Sequence, residues 1–128
     1  MTKGYRKVAI IDDEVHIRAL LEQTLEDLDG DPEILSAANG ADGLALIEHE
    51  RPQLVFLDVM MPLMNGYEVC AAVRMNPQLT GTTIIMLTAK GQEADRTRGL
   101  EIGAHYFVTK PFDPDEILGL AKKILAAS

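Results

Sequence analysis

Five polar residues stand at the ends of short apolar runs. Asp12 and Asp13 follow Val8-Ala9-Ile10-Ile11, Asp58 follows Leu54-Val55-Phe56-Leu57, Thr88 follows Thr83-Ile84-Ile85-Met86-Leu87, and Lys110 follows Tyr106-Phe107-Val108-Thr109. An apolar run without a polar face reads as a strand buried on both sides of a parallel sheet, although runs this short also fit buried helix. In a parallel sheet such tips share one edge, where open α/β sheets place their ligands. Three carboxylates in one crevice repel each other and call for a cation. Hard oxygen donors from few side chains suit Mg²⁺, which keeps waters and accepts a phosphoryl oxygen. Each residue alone has a plainer reading: a helix cap for the aspartates, a strand end for Thr88, a solvated charge for Lys110. Their convergence on one edge favours a site.

The intervening segments supply the helices that such a sheet needs. Val15–Leu28 carries Ile17, Leu20, Leu21, Thr24, Leu25 and Leu28 at helical spacing, and Gly30, Asp31 and Pro32 end it. Glu33–Ala38 holds the weakest strand, and Asn39-Gly40 turns into a short helix with Leu44 and Ile47 inward. Pro52 closes that helix. After the Pro62, Asn65 and Gly66 turn, Tyr67–Met75 forms a third helix with Val69, Cys70 and Val73 on one side. The fourth, near Gln92–Ile102, is poor, because Gly99 interrupts it and few apolar residues align. The last helix has the best start signal, with Asp113 as cap, Pro114 at the first helical position and Glu116 completing a capping-box pattern. Strand and helix alternate five times, which predicts a doubly wound parallel sheet with helices on both faces.

Composition bounds the function. A chain of 128 residues with 47% hydrophobic content reads as one domain, 1–128, with no output domain. The net charge of −8 argues against a nucleic-acid surface. The single cysteine, Cys70, forms no internal disulfide, and no apolar run approaches a membrane span or a signal-peptide core, so a reducing cytoplasm is expected.

Val8–Glu14, Leu57-Asp58-Val59-Met60-Met61-Pro62-Leu63-Met64-Asn65-Gly66, Leu87-Thr88-Ala89, Gly103-Ala104 and Thr109-Lys110-Pro111-Phe112 form an ordered set across the chain. In that set the sequence resembles the receiver domains of two-component response regulators, with the stand-alone chemotaxis regulators nearest in length. The resemblance implies a flavodoxin-like strand order, 2-1-3-4-5. It implies that Asp58 is the phosphoacceptor for a phosphohistidine on a sensor histidine kinase or histidine phosphotransfer protein. Asp13 would bind Mg²⁺ directly and Asp12 largely through water, with Asp58 and the Met60 backbone carbonyl completing the protein ligands. Thr88 would hydrogen-bond a phosphoryl oxygen, Lys110 would balance its charge, and the Lys110-Pro111 bond would be cis.

The resemblance also implies a switch coupling Thr88 to Phe107, which moves a face made of the fourth helix, fifth strand and fifth helix. That face would bind a downstream partner or a second copy of the chain. Phe107 carries no hydroxyl, so a readout through a hydrogen bond at that ring is not expected. Met60 and Lys90, two after the acceptor and two after the threonine, would set the phosphoryl lifetime. His16, His49 and His105 lie in different elements and suggest no metal site; His16 suits a kinase contact on the first helix. Cys70 reads as a half-buried small hydrophobe. Of the rivals, a haloacid-dehalogenase-type phosphatase would need a carboxylate where Met60 stands. A nucleotide-binding fold would need a glycine-rich phosphate loop. A receiver-like module that is never phosphorylated would not need the full set.

Overall fold

The computed structural model describes residues 6–89 and 94–127, and the side chains of all of these except 94–96. The strands are β1 (Lys7–Ile11), β2 (Glu33–Ala37), β3 (Leu54–Asp58), β4 (Thr83–Ala89) and β5 (Tyr106–Lys110), joined as one parallel sheet in the order β2-β1-β3-β4-β5. The helices are α1 (Val15–Leu25), α2 (Gly40–Glu50), α3 (Gly66–Arg74), α4 (Ala94–Ile102) and α5 (Pro114–Ala127), with a 3-10 turn at Pro77–Leu79. The central strand β3 is buried throughout, whereas β2, at one edge and weak in sequence, is only partly covered.

Strand alternation sorts the core into two layers. Val8, Ile10, Leu54, Phe56, Ile85, Leu87 and Val108 meet Leu21 and Leu25 of α1 and Ile117, Ala121 and Ile124 of α5. Ala9, Ile11, Val55, Leu57, Ile84 and Met86 meet Ile47 of α2 and Val69, Cys70 and Val73 of α3. Each fully buried aliphatic contributes on the order of 1.5–3 kcal/mol, so these layers dominate the stability and fix the strands beneath the site.

Several details depart from expectation. Helix α1 ends at Leu25, and Leu28 is reached by a turn in which its N–H donates to the Leu25 carbonyl at 3.1 Å; it is still buried. Leu20 is 38% exposed, because it lies a sixth of the way or more around the helix from the Leu21–Leu25 stripe. Cys70 is fully buried rather than half-buried, and burial pushes its thiol up to about 11. At α5, the Asp113 carboxylate accepts from the Asp115 N–H. A reciprocal capping box forms at α3, where Asn65 accepts from the Glu68 N–H and Glu68 accepts from the Asn65 N–H.

The weakness of α4 has a specific cause. A Cβ on Gly99 would overlap the Phe107 ring, whose edge fills the space that a side chain would take. Phe107 packs on the core layer beneath α2 and α3, while Tyr106 joins the opposite layer. Helix α4 is further tied down by Arg98, whose guanidinium lies 4.5 Å from the centre of the Tyr67 ring. The start expected at Gln92 lies outside the described residues.

Gly99→Ala should therefore lose stability. The helix-propensity gain of about 1 kcal/mol is outweighed by an overpacking cost of roughly 1–3 kcal/mol. With Phe107→Leu as background, the same change should become neutral or stabilising. Urea melts of the four proteins measure this coupling, and additive effects would exclude the contact.

Candidate functional site

The register of the sheet brings the strand tips together. Ile11 pairs with Leu57, so the next residues on β1 and β3, Asp12 and Asp58, stand side by side; Asp58 pairs with Leu87, which precedes Thr88; and Ala89 pairs with Lys110. Oxygens of Asp12, Asp13 and Asp58 lie within 4.8 Å of one another. Asp12 is fully buried and Asp58 nearly so, while Asp13 is exposed at the mouth. Lys110 Nζ lies 2.8 Å from Asp12 Oδ2 and 3.2 Å from Asp58 Oδ1. The Lys110–Pro111 bond is cis. Asp13, Glu14, Asp58, Met60, Ala89 and Lys110 line a cavity of about 330 Å³ above these groups.

Local sequence holds each group in place. The Asp12 carboxylate accepts from the Glu14 N–H at 2.9 Å in a local turn ahead of α1, and its carbonyl accepts from Arg18 at 2.7 Å, so the approach to the helix is fixed by a site residue. Asp58 continues into a loop anchored by the Val59 N–H on the Leu87 carbonyl and by the Gly66 N–H on the Val59 carbonyl. Only glycine fits at 66, since a Cβ there would overlap the Asp58 carbonyl oxygen. The Met60 N–H points to Asp58 Oδ1 at 3.4 Å, and its side chain is 60% exposed at the rim. Among the described residues Thr88 Oγ1 is buried without a hydrogen-bond partner, an arrangement that costs free energy unless a ligand oxygen completes it.

The electrostatics follow from this crowding. The Asp58 carboxyl is raised to about 7, chiefly by burial and then by the Asp12 charge beside it, with Lys110 offsetting part of the effect. Lys110 is itself raised, because its carboxylate partners outweigh the opposing effect of burial. A hard divalent cation fits the donor set: three carboxylates, one of them open to water, with only one ammonium to balance them.

Of the residues expected from sequence, Asp12, Asp13, Asp58, Met60, Thr88 and Lys110 come together at these tips. Phe107 lies lower on β5 against Gly99. Lys90 lies outside the described residues. Glu14 was not expected: its Oε1 is 3.2 Å from Lys110 Nζ. No spacing signal could have found it, since the two are 96 residues apart. The histidines are dispersed. His16 and His49 are exposed on α1 and α2, and His105 Nδ1 accepts from the Ile84 N–H at 3.1 Å, closing the start of β4. A second cavity of about 350 Å³ lies among Thr83, His105, Tyr106 and Lys123, away from the strand tips, and no carboxylate of the described residues lines it.

The raised Asp58 pKa has a defined sign. An unfolded aspartate ionises near pH 4, so folding is opposed progressively from there up to about 7, where the buried carboxyl ionises as well. In chelator, Asp58→Asn should be more stable than the wild type at pH 8. Its advantage should shrink toward pH 5, as Asp58 takes up its own proton. Mg²⁺ should stabilise the wild type more than the variant. Urea melts across this range decide the matter, and a pH-independent difference would remove the assignment.

The sequence model of the response regulator receiver domain matches residues 8–122. The chain is 41% identical over 123 residues to the alkaline phosphatase synthesis transcriptional regulatory protein PhoP of Bacillus subtilis, covering 96% of this chain and 50% of that protein. It is 37% identical over 116 residues to protein PilG of Pseudomonas aeruginosa, covering 91% and 84%. The chain thus spans about half the length of the transcriptional regulator and most of PilG. Its fold superposes on the chemotaxis response regulator CheY4 of Vibrio cholerae with a TM-score of 0.84 and 34% identity, over 94% of this chain and 99% of the other. No helix among the described residues is long and apolar enough to cross a membrane. By its sequence match, its strand order and the groups at its strand tips, the chain belongs to the response regulator receiver domains of two-component systems.

Proposed function

We propose that Asp58 accepts a phosphoryl group from a phosphohistidine on a sensor histidine kinase or a histidine phosphotransfer protein. The observation that carries this reading is the orphaned Thr88 hydroxyl beside a carboxylate that shares its ammonium with Asp12. An Asp58 oxygen forms the new P–O bond as the P–N bond breaks, and the electron pair leaves on the imidazole nitrogen. Lys110 balances charge on the phosphoryl oxygens, and the Thr88 hydroxyl donates to one of them, which is most of what phosphoryl transfer asks of a protein. Asp12, Asp13, Asp58 and the Met60 backbone carbonyl would hold Mg²⁺, which when bound supplies further charge neutralisation at the phosphoryl oxygens.

Thr88 and Phe107 carry the signal onward in this reading. When Thr88 turns to the phosphoryl group, the packing between β4 and α4 changes, and Phe107 and Gly99 respond at the α4–β5–α5 face. The proposed outcome is binding of a downstream partner or a second copy through that face. Its low stability suits a switching element. A cytoplasmic setting, where the buried Cys70 thiol stays reduced, suits this role.

Asp58→Asn should fold and lose the acid-stable, hydroxylamine-sensitive label transferred from a phosphorylated kinase. Full labelling would place the acceptor elsewhere. Met60, with only a weak thioether acceptor, neither orients nor activates a water, and it stands over the approach to Asp58. Met60→Asn should therefore speed phosphoryl loss from kinase-free protein, and by more than Lys90→Ala alters it, an exposed pair being worth at most about 1 kcal/mol. Equal decay in the wild type and Met60→Asn would exclude a role for Met60 in the lifetime.

A further inference from the structure

Three carboxylates share the Lys110 ammonium: Asp12 at 2.8 Å, Asp58 at 3.2 Å and Glu14 at 3.2 Å. Lys110 donates hydrogen bonds to Asp58 and Glu14, while Asp12 Oδ2, at ion-pair distance, has no hydrogen-bond partner among the described residues. The partners differ in how readily they can be given up. The Asp12 side chain is fully buried and that of Asp58 is 7% exposed, whereas that of Glu14 is 47% exposed. A buried carboxylate that loses its cation is stranded away from water, while a half-exposed one is simply rehydrated.

The position of Glu14 adds a second, independent observation. It is the N-cap residue of α1, yet its side chain makes no capping hydrogen bond. Side chains at that position ordinarily turn back onto the helix. This one reaches across the cavity to a residue on the far side of the sheet, and it lines the mouth through which a group must pass to Asp58.

We propose that Glu14 is a placeholder for the phosphoryl group: it occupies one N–H donor of Lys110 in the resting protein and yields it when Asp58 is phosphorylated. The inference rests on Asp58 being the phosphoacceptor. Glu14 is then a positioning residue, acting through Lys110. It keeps the ammonium drawn toward the mouth, and it competes with any anion that takes its place. Asp12 keeps its ion pair with the ammonium throughout, because separating them would leave a buried charge unpaired.

Beryllofluoride, at saturating Mg²⁺, is the probe. Titrations followed by NMR would compare the wild type with Glu14→Gln, Glu14→Asp and Glu26→Gln, the last making the same charge change at the far end of α1. Glu14→Gln should bind more tightly, by up to about fivefold, the limit set by a partly exposed pair. Glu14→Asp keeps the charge but shortens the reach, and should follow Glu14→Gln. Glu26→Gln should match the wild type. In metal-free protein the Lys110 Nζ resonance should shift in Glu14→Gln and not in Glu26→Gln. Weaker binding in Glu14→Gln, equal binding in Glu14→Gln and Glu26→Gln, or wild-type binding in Glu14→Asp would overturn the inference. A wild type that binds no beryllofluoride would overturn the role of Asp58 instead, and the Lys110 resonance would still decide whether Glu14 holds the ammonium.

Discussion

Two carboxylates with little access to water, Asp12 and Asp58, are held against each other with one ammonium between them. Left to itself the pair would separate or take up a proton, and the rise of the Asp58 carboxyl to about 7 measures that tension. What resists separation is the packing below. Asp12 and Asp58 extend β1 and β3, the two strands buried most completely on both faces, so neither tip can move without disturbing both core layers. Hydrophobic burial is the source of the free energy that keeps these charges together.

The sheet order distributes rigidity unevenly. On the β1 and β3 side, the strands are flanked by long apolar stripes from α1, α2, α3 and α5. On the β4 and β5 side, α4 sets Gly99 against the Phe107 ring of β5, packs Ile102 on the core and lays the Arg98 guanidinium over Tyr67 of α3. Leu100, its most prominent apolar side chain, is 49% exposed. An element with so few buried contacts opens at low cost. The Thr88 hydroxyl on β4 lies buried without a hydrogen-bond partner among the described residues.

The loops at the strand tips do more than connect. The β3–α3 loop is closed by Gly66 against the Asp58 backbone and by the Asn65–Glu68 box, which leaves the Met60 side chain at the rim. Leu63, in the same loop, is fully exposed with a left-handed backbone at φ 71°. At the start of α1, Asp12 serves both as an acceptor for the Glu14 N–H and as a partner for Lys110. The two contacts draw on the two oxygens of one carboxylate, and the N-cap position of α1 itself belongs to Glu14.

The strands, their burial on both faces and the tip residues were legible in the sequence, because a two-sided buried strand must be apolar throughout and a charge at its end therefore stands out. Asp12, Asp13, Asp58, Thr88 and Lys110 were found in this way, with their order and spacing supporting the family resemblance. The turn signals at Pro52, Asn65 and Gly66 were equally plain, since few residues satisfy such backbones. Other features depended on contacts between distant segments. The exposure of Leu20 came from the angle at which α1 sits on the sheet, and the full burial of Cys70 from α3 lying flat on the core. Gly99 looked like a simple defect in a poor helix until Phe107 was seen in the space it leaves. Glu14 had no assigned role in the sequence, and only the arrival of β5 beside β4 gives it Lys110 as a partner. Local pattern determines which residues end a strand. Which of them meet is decided by sheet register and helix packing, because those contacts join residues that no periodicity along the chain relates.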